Sequence, residues 1–303
     1  MHIVVSDLMS KQWKLELIKI NIKNQIITND ALNLSAQLAK KYLSLSTLSD
    51  EIKYGAGFLE LYNVPIDSDI YSPPSNAERP YAKGYISELV LLGITKALGF
   101  HPFSYLEEKQ GVFIHEITPT HYDNNQKISS EGIQEFDFHT DGAYLDRYIR
   151  PHILVLLCLI DELNTDTKLI KVDDIIQKIS DKNKAILSEA RFIHLAPETF
   201  KVKHNANRSS VIDLVNGYYE MKMAFHQIQP IDDDAKIALQ ELKKIMDCHF
   251  IIKNWKPGNL LILNNLRYLH GRGEIKGKRW LQRCYGSSII PSLTRLNLDR
   301  FIE

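Results

Sequence analysis

The short segment FHTDGAY, residues 138–144, places a histidine and an aspartate two positions apart. The overlapping segment EFDFHTD alternates apolar and polar side chains, which predicts a β-strand. Residues i and i+2 of a strand face the same side, roughly 6 to 7 Å apart. His139 and Asp141 are therefore expected to point into one space, as an imidazole and a carboxylate that suit a divalent metal ion.

A third ligand is offered by His270 in NNLRYLHGRG, which directly follows the apolar segment NLLIL. Two histidines and one carboxylate form a facial triad that leaves three coordination positions open, as is typical of non-haem Fe(II) oxygenases. Because the chain contains 11 histidines, a single HxD pattern is a weak signal. A purely structural hydrogen bond between His139 and Asp141 is the alternative interpretation.

The segment RWLQRCY near the C-terminus predicts a strand in which Arg279, Leu281, Arg283 and Tyr285 share one face. Two guanidinium groups would be buried if that face were internal, at a large cost unless they met anionic partners. These arginines therefore either face water or await anionic ligands, and guanidinium suits bidentate binding of carboxylates. Two arginines beside a half-open metal site suggest two small molecules that each carry a carboxylate.

The composition describes an ordinary globular chain, in which 37 basic residues balance 37 acidic ones. This balance argues against a dedicated surface for nucleic acid or anionic membranes. Cysteines occur only at 158, 248 and 284, without a CxxC pair, which favours reduced thiols in the cytoplasm. The N-terminus has no signal-peptide pattern, and the longest apolar run is too short to cross a bilayer. We expect a cytoplasmic protein with a small-molecule partner and without nucleic-acid or membrane partners.

The periodicity of the chain predicts helices and strands without βαβ alternation. Helical patterns cover residues 29–45, 83–100, 173–190 and 232–248, and strand patterns cover 112–119, 135–141, 152–160, 259–265 and 279–290. Strands thus lie on both sides of a central insertion that carries helices. This arrangement predicts an α+β fold with a central β-barrel or sandwich in one domain.

The order of HxD, a distal histidine and then arginines on a late strand resembles the Fe(II)/2-oxoglutarate-dependent dioxygenases. The likeness is to the clavaminate synthase-like branch of the taurine dioxygenase superfamily, which includes asparagine and arginine oxygenases, and spans roughly residues 84–287. It implies a double-stranded β-helix (jelly-roll) core with flanking helices. The expected layout is a single domain, 1–303, with a helical or mixed N-terminal region at about 1–82. A core at about 83–290 would contain a helical insertion at about 172–248.

The resemblance also implies roles for individual residues. His139, Asp141 and His270 match the iron ligands, which are the catalytic residues. Thr167 and Arg279 match the positions that hold 2-oxoglutarate, with Thr165 as the alternative threonine. Arg283 matches the arginine that binds the substrate carboxylate. Ser129 and Tyr285 match positions that contact polar groups of the substrate, and Gln110 matches a contact to its amine.

Two further residues, Arg272 and Tyr144, are interpreted as a turn residue and a packing aromatic. Asp141 stands where close relatives often carry glutamate, and a carboxylate at this position argues against a halogenase. The loop from His270 to Arg279 is shorter than in many members. The segment YYEMKMAFHQIQP, residues 218–230, is the expected lid. It lacks the acidic pair by which arginine oxygenases hold a guanidinium, so arginine is disfavoured as the substrate.

The expected activity is hydroxylation of a carbon of a free L-amino acid or close derivative. Fe(II) would be the cofactor, 2-oxoglutarate and O2 the co-substrates, and succinate and CO2 the by-products. Desaturation, cyclisation or a carrier-bound amino acid remain open with the same cofactors. A zinc hydrolase with the same three ligands and a non-catalytic barrel that binds a small acid are the alternatives from other classes.

Overall fold

The computed structural model describes residues 1–22, 24, 26–45, 48–120 and 129–301. Within these ranges no helix is both long and apolar enough to cross a membrane. The α-helices are α1 (Asp7–Leu17), α2 (Asn29–Tyr42), α3 (Leu48–Lys53), α4 (Ile86–Ala97), α5 (Val172–Ile176), α6 (Asp181–Leu187) and α7 (Asp233–Cys248). Single 3-10 turns occur at Lys109–Gly111, Phe225–Gln227 and Leu298–Arg300.

The strands are short except for two of nine residues near the middle of the larger sheet. They are β1 (His2–Val4), β2 (Phe58–Tyr62), β3 (His101–Tyr105), β4 (Ile114–Ile117), β5 (Phe136–His139), β6 (Ile153–Asp161), β7 (Thr167–Lys171), β8 (Phe192–Leu195), β9 (Ala206–Ser209), β10 (Ile212–Val215), β11 (Tyr218–Met221), β12 (Ile228–Pro230), β13 (Ile251–Lys253), β14 (Leu260–Asn264), β15 (Tyr268–Arg272), β16 (Arg279–Ser287) and β17 (Thr294–Leu296).

Two main sheets build the centre of the fold. The larger has the order β1-β2-β14-β6-β16-β3-β17, with β4 also paired to β16, and the smaller has the order β13-β7-β15-β5. Neighbours are antiparallel except for β1 with β2 and β17 with β3. Two small sheets, β10-β11 and β12-β8-β9, lie between β7 and β13 in the chain.

The two main sheets pack face to face around a shared apolar cluster. This cluster joins Leu156 of β6, Leu263 of β14 and Leu281 of β16 to Leu169 of β7 and Tyr268 of β15. The opposite face of the larger sheet is covered by α4, which is buried along nearly its whole length and packs against α2. Strand β6 is therefore buried on both faces, which explains its unbroken apolar sequence.

Most of the predicted elements are confirmed. Helices α2, α4 and α7 and strands β4, β5, β14 and β16 lie within the predicted segments, and β6 extends one residue beyond its segment, to Asp161. The expected helical insertion at 172–248 is only partly helical, because strands β8 to β12 lie between α6 and α7. These strands are three or four residues long, too short to show a clear period. Strand β17 lies beyond the predicted end of the core at residue 290 and pairs with β3.

Candidate active site

The register between β5 and β15 brings the predicted metal ligands together. His270 lies directly opposite His139, and their ring centroids are 4.1 Å apart. Asp141 follows β5 by two residues. The Asn265 side chain holds its backbone, accepting from the Asp141 N–H and donating to its carbonyl, both at 2.9 Å. Gly142 then turns the chain with a φ of 68°, a conformation that favours glycine.

The three side chains could hold a metal ion. Their ligand atoms all lie within 4.8 Å of one another. The Nε2 atoms of His139 and His270 are 3.4 and 3.7 Å from Oδ1 of Asp141. Donors about 2.1 Å from a metal and at right angles lie roughly 3 Å apart, so a small contraction of the cluster would accommodate the ion. His139 Nδ1 lies 2.9 Å from the Asp137 carbonyl, which directs the Nε2 lone pair towards the cluster.

The charge states around this cluster suit a cation. Burial, with a further contribution from His139, lowers the pKa of His270 to about 3, so its imidazole is neutral and free to bind a metal. Burial opposes ionisation of Asp141, but the Arg283 guanidinium and the two histidines hold the pKa of this carboxyl well below its usual range. The site therefore offers two neutral nitrogen donors and one carboxylate, the donor set that suits ferrous ion.

Arg279 and Thr167 line the cavity that also contains the two histidines. Arg279 is 3% exposed, and its Nε has no hydrogen-bond partner among the described residues. Asp161 Oδ2 is its nearest carboxylate oxygen, 3.8 Å from Nε. Thr167 Oγ1 accepts a hydrogen bond from Trp255 Nε1 at 2.5 Å, so its hydroxyl proton remains available to an acceptor in the cavity. Among the described residues, the Arg279 Nε–H and the Thr167 hydroxyl proton are thus both left for an acceptor in the cavity.

Arg283 lies on the same face of β16 as Arg279, but its guanidinium already donates hydrogen bonds to two carboxylates. Its Nη1 donates to Asp141 Oδ2 at 2.8 Å, and its Nη2 donates to Glu108 Oε1 at 2.7 Å. His115, opposite Arg283 in the register of β4 with β16, has Nδ1 2.7 Å from the same Nη2. Burial raises the pKa of Glu108 to about 7 despite the guanidinium, and its Oε2 has no partner within the described part of the chain.

The remaining predicted substrate contacts differ in their distance from this site. Tyr285 is buried beside Arg283, with its hydroxyl 3.3 Å from Glu108 Oε1. Ser129 is half-buried, and its hydroxyl accepts from the Glu131 N–H at 3.3 Å, whereas the neighbouring Ser130 lines the cavity. Gln110 is exposed, in a left-handed conformation with a φ of 58°. The structure therefore brings Tyr285, but not Gln110, to Arg283.

The interpretation of Arg272 as a turn residue is wrong. It is the last residue of β15, is 5% exposed, and donates to the carbonyls of Ser129, Gly132, Ile133, Gln134 and Gly273. Its guanidinium thus fixes the backbone that borders the cavity. Tyr144 packs in the apolar core, as expected. Thr165 donates to Asp161 Oδ1, so it positions the acid next to Arg279 and does not line the cavity.

Sequence reasoning missed Glu108, His115 and Trp255. His115 could have been found, because period-two alternation along β4 places it on the same face as Ile117, which lines the cavity. Glu108 precedes a 3-10 turn and carries no periodic signal. Trp255 contacts Thr167 from 88 positions away, a pairing that only the folded chain defines.

Two facing sheets that enclose a His–Asp–His cluster, with two buried arginines beside it, define the class of non-haem metal oxygenases. Residues 86–285 match the taurine catabolism dioxygenase TauD, TfdA family. This match covers well over half of the chain, which therefore belongs to that family. The protein is an enzyme, a dioxygenase that depends on Fe(II) and 2-oxoglutarate.

Two characterised relatives and two solved structures illustrate the similarity. The chain is 24% identical to L-asparagine oxygenase of Streptomyces coelicolor over 251 residues, which cover 76% of this chain and 70% of the relative. It is 24% identical to clavaminate synthase 2 of Streptomyces clavuligerus over 274 residues, which cover 85% and 82%.

Among solved structures, asparagine oxygenase in complex with Fe(II), 2S,3S-3-hydroxyasparagine and succinate superposes with a TM-score of 0.84 at 19% identity. The superposition covers 95% of this chain and 93% of the other. The non-haem iron oxygenase OrfP in complex with Fe and alpha-ketoglutaric acid gives a TM-score of 0.81 at 20% identity, with coverage of 95% and 94%.

Proposed function

We propose that this enzyme hydroxylates a carbon of a free L-amino acid or a close derivative and releases succinate and CO2. We also propose that the two facing sheets are the halves of a jelly-roll in one domain. The observation that carries the functional proposal is the buried Arg279, which lines the same cavity as the two histidines and whose Nε has no hydrogen-bond partner among the described residues. A buried guanidinium is costly without an anion, and a keto-diacid bound to the metal would supply one.

His139, Asp141 and His270 would hold the iron. When bound, the iron with 2-oxoglutarate and O2 supplies the oxidising power for the substrate C–H bond, while 2-oxoglutarate becomes succinate and CO2. The role of the chain is to orient the ligands. Asp141 turns Oδ1 towards the histidines while Oδ2 accepts from Arg283, so the guanidinium fixes the plane of the carboxylate.

Arg279 and Thr167 would bind the distal carboxylate of 2-oxoglutarate. The guanidinium offers its Nε–H, which has no partner among the described residues, and the Thr167 hydroxyl adds a donor because its oxygen already accepts from Trp255. Asp161, 3.8 Å from Arg279 Nε, is the acid that positions this guanidinium in the absence of other described partners.

The pair formed by Arg283 and Glu108 would bind the amino acid. A zwitterion can enter such a pair and preserve its charge balance, with its carboxylate on Arg283 and its ammonium group on Glu108. Oε2 of Glu108, which has no partner in the described ranges, is available for this contact. Tyr285 would help to position Glu108 through its hydroxyl and Arg283 through its ring. In this proposal Glu108, and not Gln110, would contact the substrate amine, the role that the resemblance implied for Gln110.

A direct test is to measure succinate release with Fe(II), ascorbate, O2, 2-oxoglutarate and a panel of L-amino acids, and to identify products by mass. The proposal expects succinate that depends on an amino acid, together with a product that gains one oxygen atom. The Asp141→Ala variant should release none. Loss of two hydrogens from the substrate would indicate desaturation or cyclisation. Zinc-dependent hydrolysis without O2, or binding of an acid without turnover, would contradict the proposal.

A further inference from the structure

A group of buried basic side chains includes Arg150, which lies beside Gly142, the residue that follows Asp141. Arg150 is 1% exposed, and neither its Nε nor its Nη1 has a hydrogen-bond partner in the described ranges. No carboxylate oxygen of these ranges lies within 4.0 Å of its guanidinium. A buried guanidinium in this state has lost its hydration without compensation, which is strongly unfavourable unless an anion joins it.

Two more donors accompany Arg150. Lys222 is 8% exposed, and its closest carboxylate is that of Asp213, 3.9 Å away. His152 Nδ1 accepts from the Ser288 N–H at 3.1 Å, so the ring proton is on Nε2, which has no partner among the described residues. Burial is the main cause of the lowered pKa of both Lys222 and His152, and the Arg150 guanidinium contributes further, as expected for neighbouring cations.

The acids near this group are committed to other partners. Glu220 accepts two hydrogen bonds from Arg147, both at 2.7 Å. Asp213 accepts from the Ser210 hydroxyl at 2.5 Å. Asp213 also lies 3.9 Å from Lys222, and Asp146 accepts from Asn207 Nδ2 at 3.4 Å. Arg150 is therefore the cation of this group that has no carboxylate oxygen within 4.0 Å among the described residues.

Two members of this basic group lie next to residues of the segment that carries His139 and Asp141. Arg150 Cγ lies 3.8 Å from the position that a Cβ on Gly142 would take, and Gly142 directly follows the ligand Asp141. Lys222 precedes Met223, whose carbonyl accepts from the Thr140 N–H at 2.9 Å, between the ligands His139 and Asp141.

Tyr105 connects the basic group to the amino-acid subsite. Its ring packs 5.8 Å from that of Tyr285, and its hydroxyl donates to the carbonyl of Ile149, the residue before Arg150. Tyr105 therefore contacts both Tyr285, which lies beside Arg283, and the backbone next to Arg150, so the basic group lies near the proposed amino-acid subsite.

We propose that Arg150 and Lys222 select a substrate whose side chain ends in a carboxylate, of the size of aspartate or glutamate. This inference rests on the proposed function and names its substrate class. The distal carboxylate would take the open donors of Arg150, with Lys222 and the Nε2–H of His152 beside them. Neutral amides of the same shape would leave the cations uncompensated, and a cationic side chain would be repelled.

The test compares acids with their amides. Succinate release is measured for L-aspartate against L-asparagine and for L-glutamate against L-glutamine, with L-arginine as the cationic member. The acid of at least one pair should exceed its amide in kcat/KM by about tenfold or more. Higher kcat/KM for the amide in both pairs, or for arginine, would overturn the substrate class while leaving amino-acid hydroxylation intact. Absence of succinate with every amino acid would instead overturn the proposed function.

Variants assign the effect to the residues. Arg150→Gln should lower kcat/KM for the preferred acid by about 100-fold but for its amide by only about threefold, because the lost interaction is with a buried charge. Lys222→Gln should lower kcat/KM for the acid by about tenfold. The matched control Arg208→Gln removes an exposed arginine that donates to the Ala190 carbonyl, and should leave the ratio of acid to amide unchanged.

A stability measurement separates selection from a structural role. Because Arg150 has no anionic partner within 4.0 Å in the described structure, Arg150→Gln should not lower the melting temperature of the unliganded protein. It should abolish the upward shift in melting temperature that the preferred acid causes in the presence of 2-oxoglutarate and without O2. A lower melting temperature, with equal losses for acid and amide, would show that Arg150 is structural and would overturn the proposal.

Discussion

Two arginines of one strand, β16, sit in opposite states. Arg279 and Arg283 are four residues apart, face the same cavity and are both buried. The Nε of Arg279 has no hydrogen-bond partner among the described residues, and its nearest acid is 3.8 Å away. Arg283 contacts Asp141, Glu108 and His115 within 2.8 Å. In the proposed function, Arg279 can bind a carboxylate directly, whereas Arg283 must first exchange partners.

This difference implies different costs of binding at the two ends of the cavity. A carboxylate at Arg279 gains charge-assisted hydrogen bonds without displacing another acid. A carboxylate at Arg283 competes with Glu108, so a ligand that also satisfies Glu108 has the advantage. We therefore expect 2-oxoglutarate to bind to the free protein, and the amino acid to be recognised as a zwitterion.

The largest effect is expected at the unengaged arginine. Arg279→Gln should raise the KM for 2-oxoglutarate by about 100-fold, since a buried guanidinium–carboxylate contact is lost. Steady-state succinate release at varied 2-oxoglutarate measures this effect. Pyruvate, which lacks the distal carboxylate, provides the control, and its weak use should be similar in the variant and the wild type. An unchanged KM for 2-oxoglutarate would remove Arg279 from the cofactor site.

The engaged arginine should produce a different pattern. Arg283→Gln should raise the KM for the amino acid by about 30-fold. It should also move the acid limb of the pH profile to higher pH, because Arg283 holds the pKa of Asp141 below its usual range and metal binding needs the ionised carboxylate. Activity and Fe(II) binding measured from acid to neutral pH check both effects. A matching shift in Arg279→Gln would contradict the division between the two arginines.

Glu108 gives a smaller, pH-dependent effect. Burial raises its pKa to about 7, and only its ionised form can pair with the substrate ammonium group. The KM for the amino acid should therefore fall as the pH rises through about 7, by up to about tenfold per unit below that value. Glu108→Gln should flatten this dependence. A variant that retained the wild-type profile would exclude Glu108 as the ammonium partner.

The smallest effect is expected at Arg272, which serves the fold around the cavity. Arg272→Gln loses hydrogen bonds to the backbone of residues 129–134 and should destabilise the protein by about 2 kcal/mol, or about 4 °C in Tm. Differential scanning calorimetry should compare the melting temperatures of Arg272→Gln, Arg150→Gln and the wild type. Only Arg272→Gln should lower the melting temperature, because of these two arginines only Arg272 donates to backbone carbonyls in the described structure. Equal losses in Arg272→Gln and Arg150→Gln would contradict this difference.

The sequence predicted those parts of the site that follow from local periodicity. Alternation along β16 placed Arg279 and Arg283 on one face. The prediction held because the register shift near Trp280 adds its extra residue to β6 and leaves the alternation of β16 intact. His139 and Asp141 followed from the same rule. The position of His270 opposite His139 depends on the register between two strands, which cannot be read from the sequence. His270 was predicted as a ligand because it follows an apolar strand.

The residues that the sequence did not reveal act through contacts between distant segments. Glu108 reaches Arg283 across 175 positions, and Trp255 reaches Thr167 across 88. The state of Arg150 depends on which acids are already bound by other partners, which is a property of the whole packed region. Short strands in the insertion between α6 and α7 were missed because tertiary pairing, not a local pattern, stabilises them.

The most direct test of the central claim is an anaerobic crystal structure of the protein with Fe(II) and 2-oxoglutarate, without amino acid. We predict iron bound to His139, Asp141 and His270. The distal carboxylate of 2-oxoglutarate should contact Arg279 and Thr167, and the Arg283–Glu108 pair should be intact. A distal carboxylate on Arg283, with Arg279 still facing only Asp161, would contradict it.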